Sequence, residues 1–229
     1  MLGGVDVFAQ DGHDLRVEWG AEGVAGLGRE CAVLVVVDVL SFSTTVDLVT
    51  GRGGRVRPLR WRGGRVPRPA AVGPDPGLLD LPSPNGATLC AAVAETGATV
   101  LVGCLRNATA VAAAADRLAG ARPIGIIPAG ERWGINITTT ASAGPLRPCV
   151  EDLLGAGAIA AALSGRSASP EALLAATAYR GTDIGEALRG CASGRELACN
   201  GHRRDVELAA AVDVSATVPV LVDDLLEAA

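Results

Sequence analysis

Short, Val-rich apolar runs alternate along the chain with longer segments whose apolar residues recur at helical spacing. Residues 31–39, CAVLVVVDV, are too short to span a membrane and carry apolar side chains at successive positions, the pattern of a strand buried on both faces. Further strands are predicted at 15–18, 54–59, 98–103, 122–128 and 217–222, with helices near 43–50, 86–95, 107–119, 148–163, 170–179 and 202–212. Strands joined by helices in this order predict an α/β fold, layered α/β/α, with a largely parallel or mixed sheet, because parallel strands need crossover connections that are usually helical. The expected organisation is a single domain over residues 1–229, built as one unit or as two interlocked lobes.

Two stretches break the pattern. Residues 60–84 carry six prolines, which argues for an exposed connection without regular structure over most of its length. Residues 134–147, GINITTTASAGPLR, are Thr-rich and flanked by Gly and Pro, a second loop candidate. The N-terminal MLGGVDVFAQDGHD lacks a basic start and an apolar core, and no run of 18 apolar residues follows, so a cytoplasmic location without membrane contact is expected.

Composition narrows the chemistry. The chain has no lysine, which removes a Walker-type phosphate loop and Schiff-base catalysis. Its two histidines, His13 and His202, cannot build a His-rich metal centre, so any metal should be hard and oxygen-bound. The six cysteines form no CxxC pair and are expected to stay reduced. A net charge of −5 offers nucleic acid no general attraction, although residues 52–68 form a basic run, either solvated loop or an anion site.

Asp38 ends the most apolar strand and precedes SFSTT, placing a carboxylate and several hydroxyls where a parallel strand leaves the sheet, the edge at which such sheets bind ligands. Ser41 and Ser43 are candidate phosphate ligands, and equally candidate helix caps. PSPNGAT at 82–88 sets Asn85 and Gly86 before a helix, and GCLRNATA at 103–110 repeats the arrangement with Arg106 and Asn107, two junctions suited to an anion. AGERW at 129–133 adds Glu131 and Arg132 as substrate-side candidates. Glu151 and Asp152 follow Pro148, where the helix dipole favours acids. Asp38 with either of them would suffice for Mg2+, which takes one or two carboxylates plus water and substrate phosphate. Asp38, Glu151 and Asp152 are therefore the catalytic and metal-binding candidates.

Taken in order, VDVLSFSTTV, PSPNGAT, LRNATAVA, AGERW, EDLLGAGAI, SGREL and DVELAA followed by VPVL resemble the 2-phosphosulfolactate phosphatase family, from about residue 15 to 222. The positions matching the family pattern are Asp38, Thr44, Thr45, Asn85, Gly86, Asn107, Glu151, Asp152, Gly157, Gly201 and Asp205. The resemblance implies Mg2+-dependent hydrolysis of a small anionic phosphate monoester; the alternative is a relative that binds or transforms another anionic metabolite. A homo-oligomer is compatible with it. Family members read DVLRA where this chain has Asp38-Val39-Leu40-Ser41-Phe42, so poor action on 2-phosphosulfolactate is expected unless Arg106, Arg132, Arg147 or the 52–68 run supplies the missing guanidinium.

Overall fold

The computed structural model describes residues 7–60, 66–135 and 144–229. Its elements in chain order are β1 (Leu15–Val17), α1 (Gly20–Leu27), β2 (Val33–Val37), α2 (Thr44–Thr50), β3 (Arg55–Arg60), β4 (Leu78–Ser83), α3 (Gly86–Ala94) and β5 (Thr99–Gly103). There follow α4 (Ala108–Ala119), β6 (Ile124–Pro128), β7 (Glu131–Arg132), β8 (Leu146–Arg147), α5 (Val150–Ala162) and α6 (Pro170–Arg180). The last are α7 (Ile184–Gly190), α8 (Ala192–Cys199), α9 (Arg203–Ala209), β9 (Pro219–Val222) and β10 (Leu225–Ala228).

One eight-stranded mixed sheet runs through the molecule in the order β1-β6-β2-β5-β9-β10-β3-β4. The β1-β6-β2-β5 half is parallel, and β9 and β10 join it antiparallel to a parallel β3-β4 pair. β2 shows why the apolar pattern is continuous. Val33, Val35 and Val37 enter one core cluster with Val111, Leu154 and Ile159, while Leu34 and Val36 enter the other with Val46, Leu89 and Val93. A strand with helices on both faces has no side on which a polar residue is free of cost.

Gly157 of α5 shows how small residues set the spacing in this Ala-rich core: a Cβ there would collide with the Ala175 carbonyl of α6. α6 itself begins at Ser169, whose hydroxyl accepts the Ala172 N–H at 3.1 Å, with Pro170 in the first turn.

Two loop expectations need correction. Within 60–84, Leu78–Ser83 is a strand, paired in parallel from Arg55↔Leu78 to Arg60↔Ser83. Its Pro82 is tolerated because β4 is the sheet edge, where a missing N–H breaks no ladder bond. Within 134–147, Leu146–Arg147 pairs antiparallel with Glu131–Arg132; positions 136–143 lie outside the described residues. Among the described residues, no helix is long and apolar enough to cross a membrane.

Candidate active site

Because β2 and β6 are parallel neighbours, Val37 facing Pro128, their C-terminal ends deliver Asp38 and Gly130 to one edge of the sheet. Asp38 is buried, and its backbone is fixed by Ser43, whose Oγ accepts the Asp38 N–H at 2.9 Å and whose N–H donates to the Asp38 carbonyl at 2.7 Å. Thr44 and Thr45 donate their hydroxyls to the Val39 and Ser41 carbonyls at 2.8 and 2.7 Å. Three of the hydroxyls after Asp38 thus hold the turn; Ser41 is the one that faces the cleft.

The Asp38 carboxylate reaches across to the start of α3. Its Oδ2 accepts the Gly86 N–H at 2.8 Å and the Ser83 hydroxyl at 3.3 Å. Gly86 is required there, since a Cβ would run into the Phe42 ring and lie 2.8 Å from Asp38 Oδ2. Gly86→Ala is expected to cost about 1–3 kcal/mol through overpacking and to misplace Asp38. Calorimetry paired with an activity assay checks this; an unchanged melting temperature with unchanged turnover would contradict it.

Glu131 follows β6 through Gly130, whose φ of 65° a side chain would strain. Its Oε2 accepts from Asn85 Nδ2 at 3.0 Å, joining the ends of β4 and β6. Burial first, then repulsion from Asp38, pushes the Glu131 carboxyl up to about 8. Burial likewise raises Asp38 to about 6, against the lowering effect of the Gly86, Ser83 and Phe42 donors. Asp152, in the first turn of α5, has both oxygens occupied: Oδ1 accepts the Val39 N–H at 2.8 Å and Oδ2 the Gly130 N–H at 2.9 Å. Burial and the charges of Asp38 and Glu151 raise its pKa well above the ordinary carboxylate range. Glu151 is buried beside it.

Asp38, Ser41, Ser83, Asn85 and Glu131 line a cleft of about 300 Å³, the lower end of the usual range for ligand pockets. Arg68 and His202 line it too, and both also line a second cavity of about 500 Å³. Among the described residues no three His, Cys, Asp or Glu side chains form a ready-made metal cage. Asp38 and Glu131 are the carboxylates in the cleft, hard oxygen donors whose like charges repel, and a divalent cation would offset that repulsion. Asp152 does not line the cleft, and each of its oxygens already accepts one backbone N–H.

The other candidates fall elsewhere. Arg106 is ion-paired to Asp47 at 2.8 Å and donates to the Leu208 carbonyl at 2.9 Å, so its fork serves the packing of α2 and α9. Asn107 is fully buried, accepting from the Cys104 N–H at 2.9 Å and donating to the Thr217 carbonyl at 3.1 Å. Neither lines the cleft, and neither do Glu151 and Arg132. Arg68, by contrast, was not singled out within the 52–68 run, where only composition could have drawn attention to it. The six cysteines are all unpaired; burial pushes the Cys31 thiol up to about 11 and those of Cys104 and Cys191 to about 12.

Comparison with known proteins adds one finding. A family model described as 2-phosphosulpholactate phosphatase matches residues 80–224, a segment that contains Asn85, Glu131, Glu151, Asp152 and Asp205 but neither Asp38 nor Arg68. No curated protein matches.

Proposed function

We propose that this chain, which belongs to the 2-phosphosulpholactate phosphatase family, is a Mg2+-dependent hydrolase of a small anionic phosphate monoester. The observation that carries the reading is the meeting of Asp38, Asn85 and Glu131, from three separate strand ends, in one cleft. Asp38 and Glu131 would hold the cation. When bound, Mg2+ neutralises phosphate charge and polarises the phosphorus.

The remaining work belongs to the chain's own residues. Ser83 and the Gly86 N–H orient the Asp38 carboxylate, and Asn85 orients Glu131, so neither must reorganise when substrate arrives. The Ser41 hydroxyl offers a hydrogen bond to a phosphate oxygen. Hydrolysis bonds the oxygen of water to phosphorus, releasing one water proton, and breaks the P–O ester bond, leaving an alkoxide that takes up one proton, so none is gained or lost overall. His202 lines the cleft and is the imidazole placed to supply the alkoxide's proton.

Inorganic phosphate release from a panel of small phosphoesters, with and without Mg2+, tests the reading. Release abolished by EDTA and restored by Mg2+ is expected; turnover indifferent to EDTA would remove the metal. No release at high enzyme concentration, with a small anion still raising the melting temperature, would favour a non-hydrolytic binding role.

The carboxylate pair also predicts a pH dependence. In EDTA the folded chain holds protons on Asp38 up to about 6 and on Glu131 up to about 8, whereas the unfolded chain releases them near pH 4. Their contribution to stability is therefore fully present below about pH 4 and is lost as pH rises through about 6 and then about 8. Metal-free melting temperature should fall from pH 5 to 8.5, and fall less in Glu131→Gln. A wild-type curve that rises across this window would refute the assignment.

A further inference from the structure

Arg68 sits where the two cavities meet, on a wall shared with Val66 and His202. Two other partly buried arginines, Arg106 and Arg166, have their forks consumed by the protein. Arg106 binds Asp47 and the Leu208 carbonyl, and Arg166 binds Asp116 and the carbonyls of Arg122 and Gly120. For Arg68, among the described residues, the hydrogen bond formed is one long contact of 3.4 Å from Nη1 to Ser41 Oγ. A guanidinium has five N–H donors, so among the described residues most of this fork has no partner and can take a ligand.

The turn that follows Arg68 is tied to Asp205. The Oδ1 of Asp205 accepts the Ala70 N–H at 2.7 Å, pinning that turn onto α9. Its Oδ2 is buried without a hydrogen-bond partner among the described residues and lies 3.7 Å from His202 Nδ1. Burial lowers the Arg68 pKa, and the Asp205 carboxylate is the first of the charges that oppose this. Asp205 lines the second cavity and not the cleft, so it braces the cationic side without facing Asp38.

We propose that Arg68 is the specificity-determining residue of this site, binding a carboxylate or sulfonate on the substrate whose phosphate lies by Asp38 and Glu131, with Asp205 as its positioning residue. This rests on the phosphatase reading. The site divides into a carboxylate pair, which can take a phosphate only through a cation, and a guanidinium whose planar fork suits a second oxyanion directly. A neutral-tailed ester would leave Arg68 desolvated and unused, which is how a site built around an ionic contact rejects an analogue lacking it.

The test measures kcat/KM for 2-phospholactate, 2-phospho-3-sulfolactate and isopropyl phosphate in wild type, Arg68→Ala, Arg68→Lys and Asp205→Asn. Arg68→Ala should lose about ten- to a hundredfold on the acid-tailed esters, chiefly through KM, and change on isopropyl phosphate by less than about threefold, with Lys recovering part of the loss. Asp205→Asn should show the same substrate-selective loss. Equal losses on the two acid-tailed esters assign Arg68 to the carboxylate they share, and a loss confined to 2-phospho-3-sulfolactate assigns it to the sulfonate. Equal losses on all three esters, or none, would overturn the proposal. If wild type hydrolyses none of them, the phosphatase reading fails, and melting temperature with 3-sulfolactate decides Arg68 separately. A rise in wild type that Arg68→Ala abolishes supports the assignment; no rise in wild type, or a rise unaffected by Arg68→Ala, refutes it.

Discussion

Asp38→Asn is expected to lower phosphate release by on the order of a thousandfold while leaving the fold intact. The two halves of this expectation have one cause. Asp38 is buried beside Glu131, Glu151 and Asp152, and its pKa is raised to about 6. Its negative charge is therefore a cost to the folded chain at neutral pH. Asparagine removes that charge, and its carbonyl oxygen can still accept the Gly86 N–H now held at 2.8 Å. In EDTA at pH 8 the variant's melting temperature should equal or exceed that of wild type, because the unpaired charge is gone, an instance of stability sacrificed for activity. Circular dichroism melts alongside phosphate release would show it. Turnover within about tenfold of wild type would mean that Asp38 is not at the reacting phosphate.

How much of this was legible in the sequence depended on whether the cause was local. β2 could be read because a run of five aliphatic residues, VLVVV, is coherent only as a strand covered on both faces, and Asp38 followed as the first polar residue beyond it. Asn85 and Gly86 were legible as a strand-to-helix junction. β4 was not, because its strand character comes from pairing with β3 at the sheet edge and its own prolines argue against it. α1 was missed because GAEGVAGL carries three glycines, and only packing makes it a helix.

The site's polar partners show the same division. Arg106 has the look of an anion ligand at a helix start, yet Asp47, 59 positions earlier, consumes its fork. Arg68 reads as one more arginine of a basic run, and the turn after it is tied to α9 by the Ala70–Asp205 hydrogen bond, which spans 135 positions. Asp152 reads as a metal-ligand candidate from its residue type, and what its type does not show is that the Val39 and Gly130 N–H groups each donate to one of its oxygens, a fact set by the tertiary approach of α5 to two strand ends. In each case the residue type announced an ionic role, and the choice of partner was made by the fold.

Asp152 should accordingly give the largest stability effect of any single substitution in the site. Asp152→Ala strips two buried N–H groups of their acceptors, at roughly 1–3 kcal/mol each. Removing a carboxylate that repels Asp38 and Glu151 returns part of this. A net loss of about 2–5 kcal/mol lowers the melting temperature of a chain this size by roughly 5–15 °C. Asp152→Asn keeps one acceptor and turns an NH2 group toward the other N–H, so it should fall between wild type and alanine. Val39 and Gly130 are the neighbours of Asp38 and Glu131 in sequence, so both variants should also lose turnover at temperatures where they remain folded. Guanidinium unfolding of the three proteins in EDTA at pH 7 measures the order. Were Asp152→Ala more stable than wild type, repulsion within the carboxylate cluster would outweigh the two hydrogen bonds, and Asp152 would be a ligand waiting for a cation, not the clasp that joins α5 to the ends of β2 and β6.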